Sequence, residues 1–227
     1  MDKVAFISRE AEVRVPCGDV DLVGDLLVPA GAAGIVLFAH GSGSSRRSPR
    51  NRSVAQQIQN KGLATLLFDL LTPEEARGEA RSGELRFNIP LLTERLAAVT
   101  GWVCKEPDLG DLRVGYFGAS TGAAAALAAA TGDPEVKALV SRGGRTDLAG
   151  TAVENMKAAT LLIAGGLDQP VMEWNHQTFE RLRCVKQLSI ISGATHLFEE
   201  EGTLEKVAEL AASWFAIHLP QAQEPWT

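Results

Sequence analysis

Cysteine is scarce in this chain of 227 residues, which has only Cys17, Cys104 and Cys184. They are odd in number, widely scattered and without C-x-x-C spacing. A disulfide framework and a zinc site are therefore not expected; a reducing, cytoplasmic setting is. Histidine is equally sparse, with four residues and no Cys/His cluster of ligand spacing. Positive charge is also short, since 22 Lys and Arg face 28 Asp and Glu, for a net charge of −6. Phosphate binding needs the opposite balance, so nucleic acid is not an expected partner. No run approaches the roughly 20 apolar residues that span a bilayer. The opening MDKVAFISREAEV has no apolar core of a secretory signal, and neither repeats nor low-complexity linkers interrupt the chain.

What is present is an ordinary globular composition, 45% hydrophobic and 22% charged. One domain over residues 1–227 is expected, long enough to bury about three quarters of what the unfolded chain exposes. Residues 11–17 and 20–28 alternate apolar with polar around Gly18-Asp19, a hairpin signal. Beyond them, apolar strand runs alternate with helical spacing. Strands are expected at 34–39, 64–69, 112–117, 136–141, 159–164 and 186–191, and helices at 53–60, 88–104, 121–130, 171–183 and 203–217. The fold expected is α/β, a mostly parallel eight-stranded sheet with helices on both faces. In such sheets the chemistry gathers at the carboxyl ends of the strands.

Gly118-Ala119-Ser120-Thr121-Gly122 stands at one of those ends, after LRVGYF and before the small-residue helix TGAAAALAAA. G-x-S-x-G alone is a weak signal among 22 glycines, but strand–turn–helix is the setting of a nucleophile elbow. The competing reading is a Gly-rich turn with a capping serine. A serine needs a base. His196 lies on a loop after 186–191, on the carboxyl edge shared with Ser120. His176 and His218 fall in helices, and His40 begins a Gly-rich loop. Asp168, after 159–164, is the best-placed carboxylate to orient His196, and its competing reading is a turn-forming Asx residue before Pro170. The order Ser, Asp, His is that of an α/β-hydrolase. Oxyanion donors are expected from the amide of Thr121 and from the loop His40-Gly41-Ser42-Gly43, with Ser42 first and Gly41 next. That loop lacks the Lys-Ser/Thr pair of a phosphate-binding P-loop and does not match G-x-G-x-x-G.

With these segments in register, the chain resembles the dienelactone-hydrolase-like branch of the α/β-hydrolase superfamily, and within it small lidless members found beside, or fused to, phosphoribosyltransferases. FAHGSGSSRRSPRN, GYFGASTGAAAAL, VSRGGRTDLAG, LLIAGGLDQPV and GATHLFEE carry the likeness. It implies hydrolysis of carboxylic esters without metal or organic cofactor. The elbow departs from true dienelactone hydrolases, which use cysteine where this chain has Ser120. That favours a simple esterase over a lactonase. A third reading is a vestigial site in a regulatory partner of a phosphoribosyltransferase. The partners expected are thus a small-molecule ester, a second copy in a homodimer, and a phosphoribosyltransferase.

No cap domain fits between about Gly143 and Lys157, so an open site is expected. The polar stretch 72–87 reads as a long irregular loop bordering it. Arg46, Arg47, Arg50 and Arg52 form one basic cluster on this side, Arg142 and Arg145 another. Arg46, Arg142 and Arg145 are candidates for binding an anionic substrate. The alternative is solvated charge, or ion pairing with Glu74, Glu75 and Glu79.

Overall fold

Eight strands form one sheet, in the order β1-β2-β4-β3-β5-β6-β7-β8. A computed structural model describes residues 7–220. β1 (Ile7–Cys17) and β2 (Val20–Pro29) make the antiparallel hairpin expected from Gly18, whose φ of +61° suits glycine. β2 also runs antiparallel to β4 (Ala64–Phe68). The rest of the sheet is parallel: β3 (Ile35–Ala39), β5 (Val114–Ala119), β6 (Val136–Arg142), β7 (Ala159–Gly165) and β8 (Lys186–Ile191).

Side chains alternate across the strands and feed two apolar layers. Leu37, Tyr116 and Leu139 pack under α3 (Ile89–Val103), α4 (Thr121–Gly132) and α5 (Gln169–Arg181). Phe38, Phe117 and Val140 pack under α1 (Pro49–Gln59) and α6 (Thr203–His218). α4 has no polar face, because it is wedged between the sheet and α3, and its alanines permit the close approach. Each central strand is buried on both faces, which is why its sequence is a continuous apolar run.

The stretch 72–87 is not irregular. It forms α2 (Pro73–Ser82) and a 3-10 turn at Leu85–Phe87. Thr72 caps α2, its hydroxyl accepting from Glu75 N–H while the Glu75 carboxylate accepts from Thr72 N–H, with Pro73 in the first turn and Gly83 left-handed at the end. The helix lacks an apolar stripe, so periodicity does not reveal it. Between β6 and β7, only 3-10 turns at Thr146–Ala149 and Ala152–Asn155 occur, and no cap is present among the described residues. No helix of the described residues is long and apolar enough to cross a membrane.

Candidate active site

The strand order reverses between β3 and β5, since β4 lies to one side of β3 and β5 and β6 to the other. Crevices in parallel sheets open at such a switch point. Ser120 directly follows β5 there, with φ 51° and ψ −119°, a conformation L side chains rarely adopt. Two bonds, to the last residue of β6 and to the segment after it, hold it: Ser120 N–H donates to the Arg142 carbonyl (3.1 Å) and Arg145 N–H to the Ser120 carbonyl (3.1 Å). Asn175 holds that segment in turn, donating from Nδ2 to the Gly144 carbonyl at 2.9 Å. The flanking glycines are required by space. A Cβ on Gly122 would overlap the carbonyls of Ala39 and His40, and one on Gly118 would stand 2.5 Å from Ala123 Cα.

His196 and Asp168 come to the same edge. Ser120 Oγ–H is positioned to donate to His196 Nε2 (3.2 Å), and His196 Nδ1–H donates to Asp168 Oδ2 (2.6 Å). Nδ1 therefore carries the imidazole proton, leaving Nε2 free to accept one. Glu200 braces the histidine loop, accepting from the Thr195 hydroxyl (2.6 Å) and amide (3.1 Å). The other histidines stand apart. His176 is exposed on α5, and His218 packs its ring 4.3 Å from that of Trp214. His40 is a buttress: Nδ1–H donates to the Gly41 carbonyl (3.0 Å) and Nε2 accepts from Leu70 N–H (3.0 Å). Burial pushes its pKa down, which keeps the ring neutral in that double role.

The Gly-rich loop after β3 folds against the elbow. Gly41 fits where a Cβ would be 3.0 Å from the Ala119 carbonyl, and Ser42 N–H points across to Thr121 Oγ1 (3.0 Å). Thr121 is the first residue of α4, so its own N–H has no helical partner. Ser42 and Thr121 thus share one corner beside Ser120. From that corner a cleft of about 650 Å³ runs towards α2 and α3, lined by Leu70, Leu71, Ala76 and Leu92, with Arg46, Arg47 and Arg86 among its polar residues. The volume lies within the usual range for small-molecule sites.

The structure separates the arginines. Arg46 bonds three carboxylates, Asp69 (2.7 Å), Glu12 (2.8 Å) and Asp25 (3.1 Å). Arg145 bonds Asp147 (2.8 Å) and lies over the Trp174 ring. Ion pairing therefore occurs, but not with the glutamates expected from sequence. Glu74 instead pairs with Arg77 one turn along α2, while Glu75 and Glu79 pair with Arg95 on α3 and Arg86 in the flanking turn. Arg142 is buried and has no such partner among the described residues. Sequence reasoning missed His40, Asn175 and Glu200 as supports; Glu200 had a local signal, four residues beyond His196.

Fold and topology together are those of the α/β-hydrolase type. A family model, the dienelactone hydrolase family, matches residues 24–217. The chain belongs to the dienelactone hydrolase family. It is 56% identical, over 93% of its length and 98% of the other chain, to a crystal structure named as dienelactone hydrolase from Anabaena variabilis, with a TM-score of 0.91. It is also 56% identical over 213 residues to a Mycobacterium tuberculosis protein named "Putative phosphoribosyl transferase". That match covers 93% of this chain and 47% of the relative, so the chain spans about half the length of the curated relatives it matches. The esterase domain of a Rhodothermus marinus protein shares the fold, with a TM-score of 0.72 at 19% identity over 92% of this chain and 99% of the other.

Proposed function

We propose that the chain is a serine carboxylesterase acting on small soluble esters through Ser120, His196 and Asp168. The observation that carries this reading is the unbroken relay from Ser120 Oγ to His196 Nε2 (3.2 Å) and from Nδ1 to Asp168 (2.6 Å), on an elbow with positive φ. His196 takes the hydroxyl proton as Oγ attacks the ester carbonyl. The oxyanion takes the N–H groups of Thr121 and Ser42. A charged acceptor outcompetes the neutral Thr121 hydroxyl that Ser42 now faces. His196 then gives its proton to the departing alkoxide, and water, deprotonated by the same ring, releases the acid. The leucine-lined cleft suits the acyl chain.

Replacing Ser120 with alanine is expected to lower 4-nitrophenyl acetate turnover by about 10⁴-fold or more, with the far-UV circular dichroism unchanged. Labelling of the wild type by a fluorophosphonate, lost in the variant, supplies a second readout. Full residual turnover in Ser120→Ala would refute the assignment.

A lactonase is the second reading, favoured by the 56% identity to a protein named dienelactone hydrolase. A panel of lactones against open-chain esters decides between them. The longer Mycobacterium relative supports a phosphoribosyltransferase as partner, which co-purification of the two proteins tests. Three free thiols, Cys17, Cys104 and Cys184, fit the cytoplasmic setting we propose.

A further inference from the structure

Among the described residues six large apolar side chains are exposed, and five of them gather along one edge of the sheet: Leu167, Val185, Ile190, Leu197 and Ile217. Val185 immediately precedes β8 and Ile190 lies within it. Leu197 is in the loop that follows, and Leu167 N–H donates to the Ala194 carbonyl of that same loop at 2.9 Å. Ile217 stands one turn beyond Trp214, whose indole donates to the Ala159 carbonyl (3.1 Å) at the start of β7, the neighbour of β8. The sixth, Phe87, lies apart in the turn after α2. An apolar cluster left exposed in this way marks a contact surface.

The backbone of that edge selects the partner. β8 is the last strand of the sheet, and no described strand pairs with its outer side. The carbonyls of Val185 and Ile191 accept from Thr160 and Gly166, so these two residues turn their polar groups inward, to β7. Backbone groups alternate along a strand, and Lys186, Leu188 and Ile190 therefore present N–H and C=O outward. Such a row is a template for another strand. The opposite edge is guarded, because β1 carries Arg9, Glu10, Glu12, Arg14 and Pro16. β8 has a single charge, Lys186, whose Nζ is turned away to the carbonyls of Phe179 (2.6 Å) and Leu182 (2.9 Å) at the end of α5.

A second copy matches this edge residue for residue. A two-fold axis through Leu188, perpendicular to the sheet, sets Leu188 against Leu188 and Lys186 against Ile190. All three outward residues of each copy then exchange N–H···O=C bonds. An axis at Gln187 or Ser189 would leave one of the three unpaired. Opposed residues share a face, so Leu188 and Ile190 of both copies form one apolar row on the side of α5, with the stem of Lys186 beside it.

We propose that β8 is the interface of a homodimer, in which it pairs antiparallel with β8 of a second copy about Leu188. The interface is independent of the esterase reading. Both candidate sites stay open, since β6 and β7 separate Ser120 from the seam. The strands of the two copies run in opposite directions, so the sites face opposite ends of one continuous sheet.

Sedimentation velocity reads the mass. At about 10 μM the wild type is expected at twice the 24.2 kDa of the chain. Ile190→Lys, which puts a charge into the row, is expected to raise the dimer Kd at least about tenfold, whereas Phe87→Lys, outside the cluster, leaves it unchanged. Cross-linking reads the register. Gln187 of one copy opposes Ser189 of the other without backbone bonds between them, the closer pair of an antiparallel ladder, about 4.5 Å between Cα atoms. The double variant Gln187→Cys/Ser189→Cys is therefore expected to form a covalent dimer on mild oxidation, and neither single variant to do so, with wild type as the blank for the three native thiols. A wild type still monomeric at about 100 μM, a dimer that Ile190→Lys does not weaken, or a double variant that stays unlinked each overturns the proposal. Should Ile190→Lys not fold, the mass of the wild type and the cysteine pair decide alone.

Discussion

Asp168 is the residue whose removal isolates geometry from chemistry. Its carboxylate accepts the only hydrogen bond made by His196 Nδ1 among the described residues, and it caps α5 without a side-chain bond to that helix. An amide of the same shape would present N–H to Nδ1 or force the wrong tautomer. Asp168→Asn is therefore expected to lower kcat by about 10⁴-fold while Tm moves little, checked by steady-state kinetics beside a thermal melt. Retained activity would mean that another group orients the ring.

α2 shows how an element without an apolar face is held in place. Arg95, on α3, donates to Glu75 at 2.5 and 2.7 Å and to the Leu70 carbonyl at 2.6 Å. The guanidinium holds the Glu75 carboxyl below the usual carboxylate range. A depressed acid pKa adds stability that is present above the unfolded value, about 4.3, and lost as pH falls through the folded one. Arg95→Met should cost about 3 kcal/mol at pH 7 by urea unfolding, and its stability should fall less steeply with acid than that of wild type. KM should rise more than kcat falls, because α2 walls the cleft. Parallel slopes in acid would show that Glu75 titrates normally. The central strands, the hairpin and the elbow were legible in sequence, since apolar runs, Gly18-Asp19 and G-x-S-x-G are local signals. α2 was written only in its ends, Thr72-x-x-Glu75 with Pro73 and the later Gly83, while its Arg- and Glu-rich middle reads as loop. The pairing of the arginines was not legible at all. Which carboxylate reaches Arg46, and that none among the described residues reaches Arg142, depends on strands and helices far apart in the chain.

At the scale of the whole molecule, one sheet serves two cores, so neither apolar layer can come apart without exposing the back of the other. Residues 7–220 are accordingly expected to unfold as a unit, with coincident urea transitions by far-UV circular dichroism and tryptophan fluorescence. A resolved second transition would show that the halves are separable. The same wholeness bears on Ser120, whose strained backbone persists only because β6 and its following turn grip it on both sides. Strain of this kind costs on the order of 1–3 kcal/mol. Glycine would occupy the same dihedrals with less strain. Laboratory evolution that rewards heat tolerance alone would thus find one of its easiest gains at position 120, and would discard the hydroxyl with it. Any library built on this scaffold needs an activity screen in every round.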